Sequence, residues 1–518
     1  MADWGMGYVT DLAYMGGLYP VQAPNHLDLV LRLNGISPPL RNGGFTYCEL
    51  GCGTGQTIAA IAAAHPEAEF HAVDFNPVHV AELSETARAA ELGNLTVHEA
   101  SFESLLEPGA AEMPMFDYVT LHGVYTWVGP EQRSAIRRFL GQRLRPGGVV
   151  GLGYNALPGW SAAAPLQRLL LEYAKRSSGG SDRRAATAIE AMRRLRAAGS
   201  PYLRDHTVIE RMVSVIDGAD PRYVVHEYLN DHWAAEYHID LARALAESKL
   251  VFAGSGRLLE NFSDFVTDRE QAAAIEDVDD RSLRETLHDY CHHNPFREDV
   301  FVRGARRHDA VDRDRALSKL LLVRHRTPEE EKETLELEVR SGRATLSEEA
   351  YRPMLARLDE GPVTVGDLVA IGRAASPGSL TPVEVAGVLV GATFAAPFQP
   401  PGAEAGAAAR RLNQYWANSH ARLPPDAQVP LAVPGLSIGC TMQAIEAMVA
   451  VVLSDGGPRD PVAMAERLWA PYAARGEILM HEGRPMEDAE ARNAVLAGTV
   501  RRIVERYAGR WKQWGLIE

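Results

Sequence analysis

Residues 45–57 read FTYCELGCGTGQT, an apolar run that ends in glycines alternating with small residues. The apolar part predicts a buried strand, and Gly51, Gly53 and Gly55 follow it directly. The next residues, QTIAAIAAAHP, predict a helix. Glycines between a strand and a helix allow a tight turn and let a ligand approach the bare backbone. The stretch therefore predicts a binding loop for a nucleotide-like ligand.

The spacing of these glycines excludes two phosphate-binding loops. The dinucleotide fingerprint is G-x-G-x-x-G, whereas the third glycine here comes one residue early, at Gly55. A P-loop requires a Lys-Ser or Lys-Thr pair, and none follows the glycines. Both phosphate-binding interpretations therefore fail.

Strands and helices alternate beyond this loop. Residues 45–155 contain the apolar runs FTYCEL, EFHAVDF, LTVHEA, FDYVTLHGV and GGVVGLGY, with helical segments between them. Asn76-Pro77 and Gly129-Pro130 are typical helix starts. This alternation predicts βαβ units in an α/β fold, with a parallel sheet covered by helices on both faces.

The glycine loop resembles the first motif of class I S-adenosylmethionine-dependent methyltransferases, E/D-x-G-x-G-x-G, which matches Glu49 to Gly55. The resemblance implies a Rossmann-like sheet of seven strands with the last one antiparallel, and S-adenosyl-L-methionine as the cofactor. This cofactor carries an amino acid in place of phosphates. A carboxylate beside the loop can therefore help to hold its ammonium group, while the loop backbone contacts the methionine and the ribose.

Further residues match later positions of the same family. Asp74 ends the second predicted strand, where the resemblance implies a side chain that accepts hydrogen bonds from both ribose hydroxyls. Ser101 and Phe102 follow the third strand at the adenine position, and His122 follows the fourth strand beside the methyl donor. The predicted cofactor-binding set is Tyr19, Glu49, Gly51, Cys52, Gly53, Gly55, Asp74, Phe75, Ser101, Phe102 and His122.

The methyl acceptor should bind at the carboxyl ends of the strands. Two clusters, HGVYTWV and GYNALPGW, follow the fourth and fifth strands there. Aromatic rings can hold an amine and its cationic methylated product by cation–π contact, but packing of the loop explains Tyr125 and Trp127 equally well. His122 fits a cofactor contact better than a general base. The predicted substrate-positioning residues are Tyr125, Trp127, Asn155 and Trp233.

Two later motifs indicate which methyltransferases the chain resembles most. HEYLNDHW at residues 226–233 and NPFREDVFVRG at residues 294–304 are similar to bacterial methyltransferases with a methyltransferase regulatory domain. The characterised members are rickettsial protein-lysine methyltransferases. The likeness covers about residues 8–310 and implies additional middle and C-terminal domains and a homodimer.

Six segments are expected along the chain. Residues 160–218 read as mostly helical, and residues 351–370 have helix–turn–helix spacing, for which a packing module is favoured over DNA binding. The N-terminal segment could be a lid over the cofactor or a cap without a catalytic part. The segments are a lid or cap (1–44), the cofactor-binding core (45–159), a helical insertion (160–222), a regulatory region that completes the sheet (223–315), a helix–turn–helix-like middle domain (325–400) and a helical C-terminal domain (401–518).

Composition excludes several partners. The formal charge of −15, without a basic stripe, argues against nucleic acid and favours a basic or neutral substrate. The four scattered cysteines form no C-x-x-C pair, so neither a disulfide framework nor a metal site is predicted. No run approaches the roughly 18 apolar residues of a membrane span, and MADWGMGYVTDLAYMGG lacks a basic start followed by an apolar core, so export is not expected. The predicted location is the cytoplasm.

The favoured hypothesis is N-methylation of a protein or peptide amine, with a lysine side chain as the acceptor. The lysine must arrive neutral, and Asp231, Glu236 and Tyr125 are candidates for removing its proton. Two alternatives stay open at this stage. One is a small-molecule or natural-product methyltransferase, and the other is a regulatory protein that binds the cofactor without turning it over.

Overall fold

The computed structural model of the chain describes residues 5–12, 16–41, 43–108, 112–325, 335–376, 378–420, 423–481, 484–486 and 488–517. Parts of the predicted N-terminal lid, at residues 1–4, 13–15 and 42, lie outside the described residues. The same holds for the start of the predicted middle domain, at residues 326–334.

The first part of the chain alternates strands with helices, as predicted. Each of the five strands and three connecting helices expected between residues 45 and 155 is confirmed. The elements are α1 (Pro24–Leu33), β1 (Thr46–Leu50), α2 (Gln56–Ala64), β2 (Glu69–Asp74), α3 (Pro77–Ala89), β3 (Leu95–Glu99), β4 (Phe116–His122), α4 (Pro130–Arg143) and β5 (Leu144–Leu157).

A helical stretch separates β5 from the strands that complete the sheet. The strands expected from LVFAG and EDVFVRG are present as β7 (Leu250–Ser255) and β8 (Phe296–Arg303), whereas the short strand β6 (Glu236–Tyr237) was not predicted. The elements are α5 (Ala164–Arg176), α6 (Ser181–Ala197), α7 (Pro201–Arg204), α8 (Thr207–Gly218), α9 (Pro221–Tyr228), β6 (Glu236–Tyr237), α10 (His238–Ala246), β7 (Leu250–Ser255), α11 (Ser263–Val266), α12 (Arg269–Ala274), α13 (Arg281–His292) and β8 (Phe296–Arg303).

The main sheet has the strand order β3-β2-β1-β4-β5-β8-β7. Strands β1 to β5 pair in parallel, and β8 runs antiparallel to both β5 and β7. The predicted Rossmann-like sheet with an antiparallel last strand is therefore confirmed. The strand order reverses between β1 and β4, which is where open α/β sheets bind ligands at the carboxyl ends of their strands.

A buried ionic network holds β8 next to β5. The Arg297 guanidinium lies 3.0 Å from Asp299 Oδ2 and 3.0 Å from Asp289 Oδ1. The same Asp299 oxygen accepts a hydrogen bond of 2.7 Å from the Tyr154 hydroxyl and lies 2.8 Å from His238 Nδ1. A buried charge is tolerated only when it is paired and hydrogen-bonded. The network therefore fixes the register of the two strands at the edge of the site.

The rest of the chain is mainly helical, as predicted, with short sheets that were not predicted. The elements are α14 (Ala310–Ser318), β9 (Leu321–Arg324), β10 (Glu336–Val339), β11 (Gly342–Thr345), α15 (Glu348–Glu360), β12 (Val363–Thr364), α16 (Val365–Ala375), α17 (Pro382–Gly391), β13 (Ala395–Pro397), α18 (Ala403–Ser419), β14 (Gln428–Val433), β15 (Ile438–Gln443), α19 (Ala444–Ser454), α20 (Pro461–Ala474), β16 (Leu479–His481), β17 (Arg484–Met486) and α21 (Ala489–Gln513).

Helix α18 covers the outer side of α2, the helix that begins after the glycine loop. Ile58 and Ile61 of α2 share one apolar core with Ala408 and Leu412 of α18. A helix that is apolar on all sides must be buried on all sides, and α2 lies between the sheet and α18. In the described ranges, no helix is long and apolar enough to span a membrane.

Candidate active site

Two adjoining cavities flank the glycine loop at the carboxyl ends of β1, β2, β4 and β5. Together with the solvent at their mouths, they contain about 810 and 750 Å³ of atom-free space. Both are lined by Gly51, Gly53, His122, Gly123 and Trp127. Because they share these residues, the cavities are the two ends of one site. The cavity lined by Phe75, Ser101 and Phe102 is called the nucleoside cavity below, and the one lined by Glu49 and Asn155 is called the methionine cavity.

The glycine loop adopts a backbone conformation that other residues rarely take. Gly51, Gly53 and Gly55 have φ angles of 72°, 55° and 72°. A Cβ atom at Gly51 would lie 2.6 Å from Val124, and one at Gly55 would lie 2.4 Å from Leu83. At Gly53 no described atom lies within 4 Å of that position. The outer glycines thus permit close packing, while Gly53 leaves open the space that a ligand would occupy.

Asp74 connects β2 to the glycine loop and is buried. Its Oδ2 accepts a hydrogen bond of 2.8 Å from the Gly53 backbone N–H, and its Oδ1 accepts one of 2.9 Å from Asn76. His79 Nδ1 lies 3.3 Å from Oδ1. The carboxylate also lines the nucleoside cavity, where a ribose contact was predicted. Asp74 therefore holds the glycine loop in place and also faces the space for the ligand. The contact with the ligand was predicted, but the contact with the loop was not.

Aromatic and small residues line the nucleoside cavity. The predicted residues Phe75, Ser101 and Phe102 are brought together there. Tyr8, which was not predicted, packs edge-on against Phe75 with ring centroids 5.7 Å apart, and its ring is inclined by 29° to that of Trp127 at 6.4 Å. Flat apolar walls with few polar groups suit a planar base such as adenine.

A buried carboxylate lies in the methionine cavity. Glu49 is 4% exposed, and among the described residues its Oε2 has no hydrogen-bond partner. Burial is the main cause that raises the pKa of this carboxyl to about 8; the charge of Asp74 adds to the effect of burial, and hydrogen bonding from Gln22 opposes it. An unpaired buried acceptor is costly unless a ligand satisfies it. The ammonium group of the methionine part of S-adenosylmethionine fits this position.

His122 lies at the junction of the two cavities. Its ring is 4.2 Å from that of Tyr19 and 5.3 Å from that of Phe296, measured between centroids. Gly153 leaves room for it, because a Cβ there would lie 2.6 Å from His122 Nδ1. Burial lowers the pKa of the imidazole, and Glu298 opposes this effect. This shift favours the neutral imidazole, which adds no positive charge beside a sulfonium.

The chain ahead of α1 passes over both cavities. It is tied to the helical stretch by the Asp231 N–H, which donates a 2.9 Å hydrogen bond to Gly7 O. It is tied to α2 by the Tyr19 N–H, which donates one of 3.1 Å to Thr57 Oγ1. The residues of this segment that line the cavities are Gly5, Met6, Tyr8, Gly16, Gly17, Tyr19 and Gln22.

Two of the predicted substrate-positioning residues lie in the site. Trp127 lines both cavities, and Asn155 lines the methionine cavity. Asn155 pairs with Phe296 across β5 and β8, and its backbone N–H donates a 3.2 Å hydrogen bond to Thr126 Oγ1. In the part of the chain described, the buried Asn155 Nδ2 has no hydrogen-bond partner. This donor is thus available to a ligand.

Other predicted residues are not among those that line the two cavities. Tyr125 is buried in an apolar core, and its hydroxyl accepts a 2.9 Å hydrogen bond from Arg137. Trp233 packs edge-on against Trp160 with ring centroids 4.8 Å apart. Residues in a loop follow no regular pattern of burial. The motif therefore could not show that the rings of Tyr125 and Trp233 lie outside the lining of the cavities.

The candidate bases are also elsewhere, engaged in ion pairs. Asp231 Oδ1 lies 2.9 Å from Lys175 Nζ, and Glu236 pairs with Arg133. The methionine cavity is lined instead by Glu227 of α9, which was not predicted. It lies within the HEYLNDHW motif, and this motif was the only sequence signal that pointed towards it.

Family comparisons agree with this geometry. Residues 48–150 match the family described as a methyltransferase domain, and residues 220–303 match that of a predicted methyltransferase regulatory domain. An uncharacterized protein of Synechocystis sp. is 32% identical over 368 residues, which cover 70% of this chain and 71% of that protein. An uncharacterized protein of Rickettsia prowazekii is 25% identical over 287 residues, 53% of this chain and 50% of that protein.

Solved structures share the fold over nearly the whole chain. PKMT2 from Rickettsia typhi, in complex with AdoHcy, superposes with a TM-score of 0.70 at 17% identity. The match covers 96% of this chain and 99% of PKMT2. The C-terminal helices are therefore part of the shared architecture, together with the sheet.

Removing the charge of Asp74 should weaken cofactor binding. Hydrogen bonds to a charged group contribute about 1.5–3 kcal/mol, so Asp74→Asn should raise the dissociation constant of S-adenosylmethionine about 10- to 150-fold. Calorimetric titration measures this change. Asp314→Asn, which removes a carboxylate paired with Arg313 on α14, is the matched control and should bind normally. An unchanged affinity in Asp74→Asn would contradict the placement of the ribose.

Cofactor binding should release a proton from Glu49. The free protein holds this carboxyl mostly protonated at pH 7, because its pKa is raised to about 8. A bound ammonium favours the carboxylate, so affinity should rise between pH 6 and pH 8 and level off above. Calorimetry in two buffers of different ionisation enthalpy counts the protons released. Glu49→Gln should release fewer; equal release in both proteins would show that Glu49 does not meet the ammonium.

Proposed function

Because this chain belongs to the family of S-adenosylmethionine-dependent methyltransferases that carry a methyltransferase regulatory domain, we propose that it methylates an amine of a protein or peptide. The preferred acceptor is a lysine side chain. The observation that carries the proposal is the acidic lining of the cavities. The described lining residues include three with carboxyl groups, Asp74, Glu49 and Glu227, and no lysine or arginine; of the three, Glu49 is mostly protonated at pH 7 before the cofactor binds.

The residues of the site suit transfer to a cationic acceptor. S-adenosylmethionine supplies a methyl group activated as a sulfonium, and the protein must align the acceptor nitrogen with it and exclude water. Trp127 and Tyr19 offer aromatic faces at the junction, where a methylated ammonium can be held by cation–π contact. The Asn155 amide adds a polar group on the same side. Such a lining would disfavour an anionic acceptor.

We propose that the N-terminal segment acts as a lid. It would cover a bound cofactor, because the half-buried Tyr8 lines the nucleoside cavity and its ring lies 5.6 Å from that of His226 on the helical stretch. Closure of this segment would exclude water during transfer. The domain limits given above, the homodimer and the cytoplasmic location stay predictions.

The likeness to rickettsial proteins agrees with a polypeptide acceptor. The HEYLNDHW and NPFREDVFVRG motifs are similar to those of rickettsial protein-lysine methyltransferases, and the fold is that of PKMT2 from Rickettsia typhi. Both motifs contribute to the site, through Glu227 and Phe296. This overlap supports the same class of substrate for this chain.

Transfer of label from the cofactor tests the proposal. The purified chain is incubated with methyl-tritiated S-adenosylmethionine and a lysate separated by size. Label should enter macromolecules that protease digests, and acid hydrolysis should release it as methylated lysine. The Asp74→Asn variant serves as the control for background transfer.

Two outcomes would contradict the proposal. Label recovered in the small-molecule extract would identify a small-molecule methyltransferase. Cofactor binding without any transfer would identify a regulatory binding protein.

A further inference from the structure

A third cavity lies outside the active site, where the Rossmann-like core meets the middle part of the chain. Together with the solvent at its mouth, it contains about 1450 Å³ of atom-free space. Among the described residues, none lines both this cavity and the nucleoside or methionine cavity. Its walls come from α1, α14, β9, the segment before β1, the segment after β8 and the residues around the end of β13. It is called the cationic cavity below, after Arg32, Arg41, Arg306 and Lys319 in its lining.

The segments before β1 and after β8 pair with each other at one wall of the cationic cavity. The Ser37 N–H donates a 2.8 Å hydrogen bond to Arg306 O, and the His308 N–H donates one of 2.8 Å to Gly35 O. Alternate residues of an extended chain lie on the same face, so Arg306 and His308 share one. Arg306 Nε donates a 3.2 Å hydrogen bond to Ser37 Oγ, and His308 Nε2 lies 2.7 Å from the same oxygen. The backbone pairing therefore holds both basic side chains at the cavity.

One face of α1 forms another wall. Asn25, Asp28, Leu29 and Arg32 line the cavity and recur at the helical spacing of three and four residues. Asp28 is the one carboxylate among the described residues of the lining, and its Oδ2 accepts a 2.8 Å hydrogen bond from Arg41 Nη2. The charge of Asp28 is thus matched by that of Arg41, and neither is left to balance the other cations of the cavity.

Three cations of the lining have no acidic partner in the described part of the chain. Arg32, Arg306 and Lys319 form no ion pair with a described residue, and the side chain of Arg306 donates to the neutral hydroxyl of Ser37. Helix dipoles favour Arg32 in the last turn of α1 and Lys319 at the end of α14, so neither of these alone indicates a ligand. Arg306 lies in an extended segment, where no helix dipole explains it.

The convergence of these cations is unusual for this chain. It carries 68 acidic residues against 53 lysines and arginines, and its formal charge is −15. Like charges that share a cavity repel one another, and an anion among them removes this cost. Three separate elements supply the cations, namely α1, the segment after β8 and α14. The cavity therefore has the charge of an anion-binding site.

We propose that the cationic cavity binds a soluble organic phosphate. A guanidinium group matches phosphate oxygens with two parallel hydrogen bonds, and a lysine ammonium adds a point charge. Arg306 and Lys319 supply these groups from opposite walls of the cavity, and Arg32 adds a third charge. Rigid apolar side chains suit the organic part of such a ligand. Those in the lining are Pro38, Pro39, Pro397, Phe398 and Pro400. This inference is independent of the proposed methylation.

Binding of inorganic pyrophosphate tests the inference without an activity assay. The full chain is first saturated with S-adenosylhomocysteine, so that the active site is filled, and is then titrated calorimetrically with pyrophosphate. The wild-type chain should bind pyrophosphate about tenfold or more tightly than sulfate at the same ionic strength. The affinity should fall as ionic strength rises, because salt screens the charges. The melting temperature should rise with pyrophosphate concentration, because the ligand binds the folded chain.

Charge-removing variants locate the binding. Arg306→Gln and Lys319→Gln should each raise the dissociation constant of pyrophosphate about tenfold or more. Arg138→Gln is the matched control, because Arg138 is an exposed arginine of α4 that forms no ion pair with a described residue and lies outside the cavity lining. It should bind pyrophosphate as the wild type does. All three variants should keep their affinity for S-adenosylhomocysteine within about twofold, which shows that they are folded.

A phosphate with an apolar group tests the organic part of the ligand. Phenyl phosphate should bind more tightly than orthophosphate, because its ring can pack against Phe398 and the neighbouring prolines. Equal affinities for the two would overturn the assignment to an organic phosphate.

Other outcomes would overturn the inference as a whole. One is that the wild-type chain does not bind pyrophosphate. Another is that Arg306→Gln and Lys319→Gln bind it as tightly as Arg138→Gln does. Vesicles of equal parts phosphatidylglycerol and phosphatidylcholine distinguish a lipid headgroup from a soluble phosphate. Co-sedimentation with these vesicles that Arg306→Gln abolishes, while pyrophosphate stays unbound, would assign the cavity to a membrane lipid and contradict a soluble ligand.

Discussion

The hydrogen bond from the Gly53 backbone to the Asp74 carboxylate is the contact on which the site depends. It connects the ends of β1 and β2 and holds the glycine loop in a left-handed conformation. With the loop in that conformation, ligand space opens on both of its sides. The same carboxylate then faces the nucleoside cavity, so the group that shapes the loop is also available to the ligand. A change at this position alters both the shape and the chemistry of the site.

Packing on two sides of the site holds the glycine loop and the strands around it in place. Helix α2, which begins at its end, is enclosed by the sheet and by α18 from the C-terminal part of the chain. On the opposite side of the site, the Arg297 network fixes β8 next to β5 and thereby places Phe296 beside Asn155. Helix α18 and strand β8, which are far apart in sequence, therefore each support one side of the site. The long C-terminal extension accordingly contributes to the support of the cofactor site.

Much of the core and of the cofactor site could be predicted from local sequence. Alternating apolar runs and helical segments identify a parallel sheet, and the carboxyl ends of its strands converge, which brings Asp74, Phe102 and His122 together. Residues supplied from a distance could not be predicted in this way. Tyr8 and Glu227 reach the cavities only through tertiary packing. The aromatic loop after β4 shows the same limit, because Trp127 faces the cavities while Tyr125 packs in the core.

The central claim is that the two cavities form one site for one cofactor molecule, and a crystal structure of the full chain with S-adenosylhomocysteine tests it most directly. The account predicts a single molecule that spans the glycine loop. Its adenine should lie against Phe75 and Phe102, its ribose hydroxyls should bind Asp74, and its ammonium should lie beside Glu49. A molecule confined to one cavity, or one whose adenine occupies the cavity of Glu49, would contradict the account.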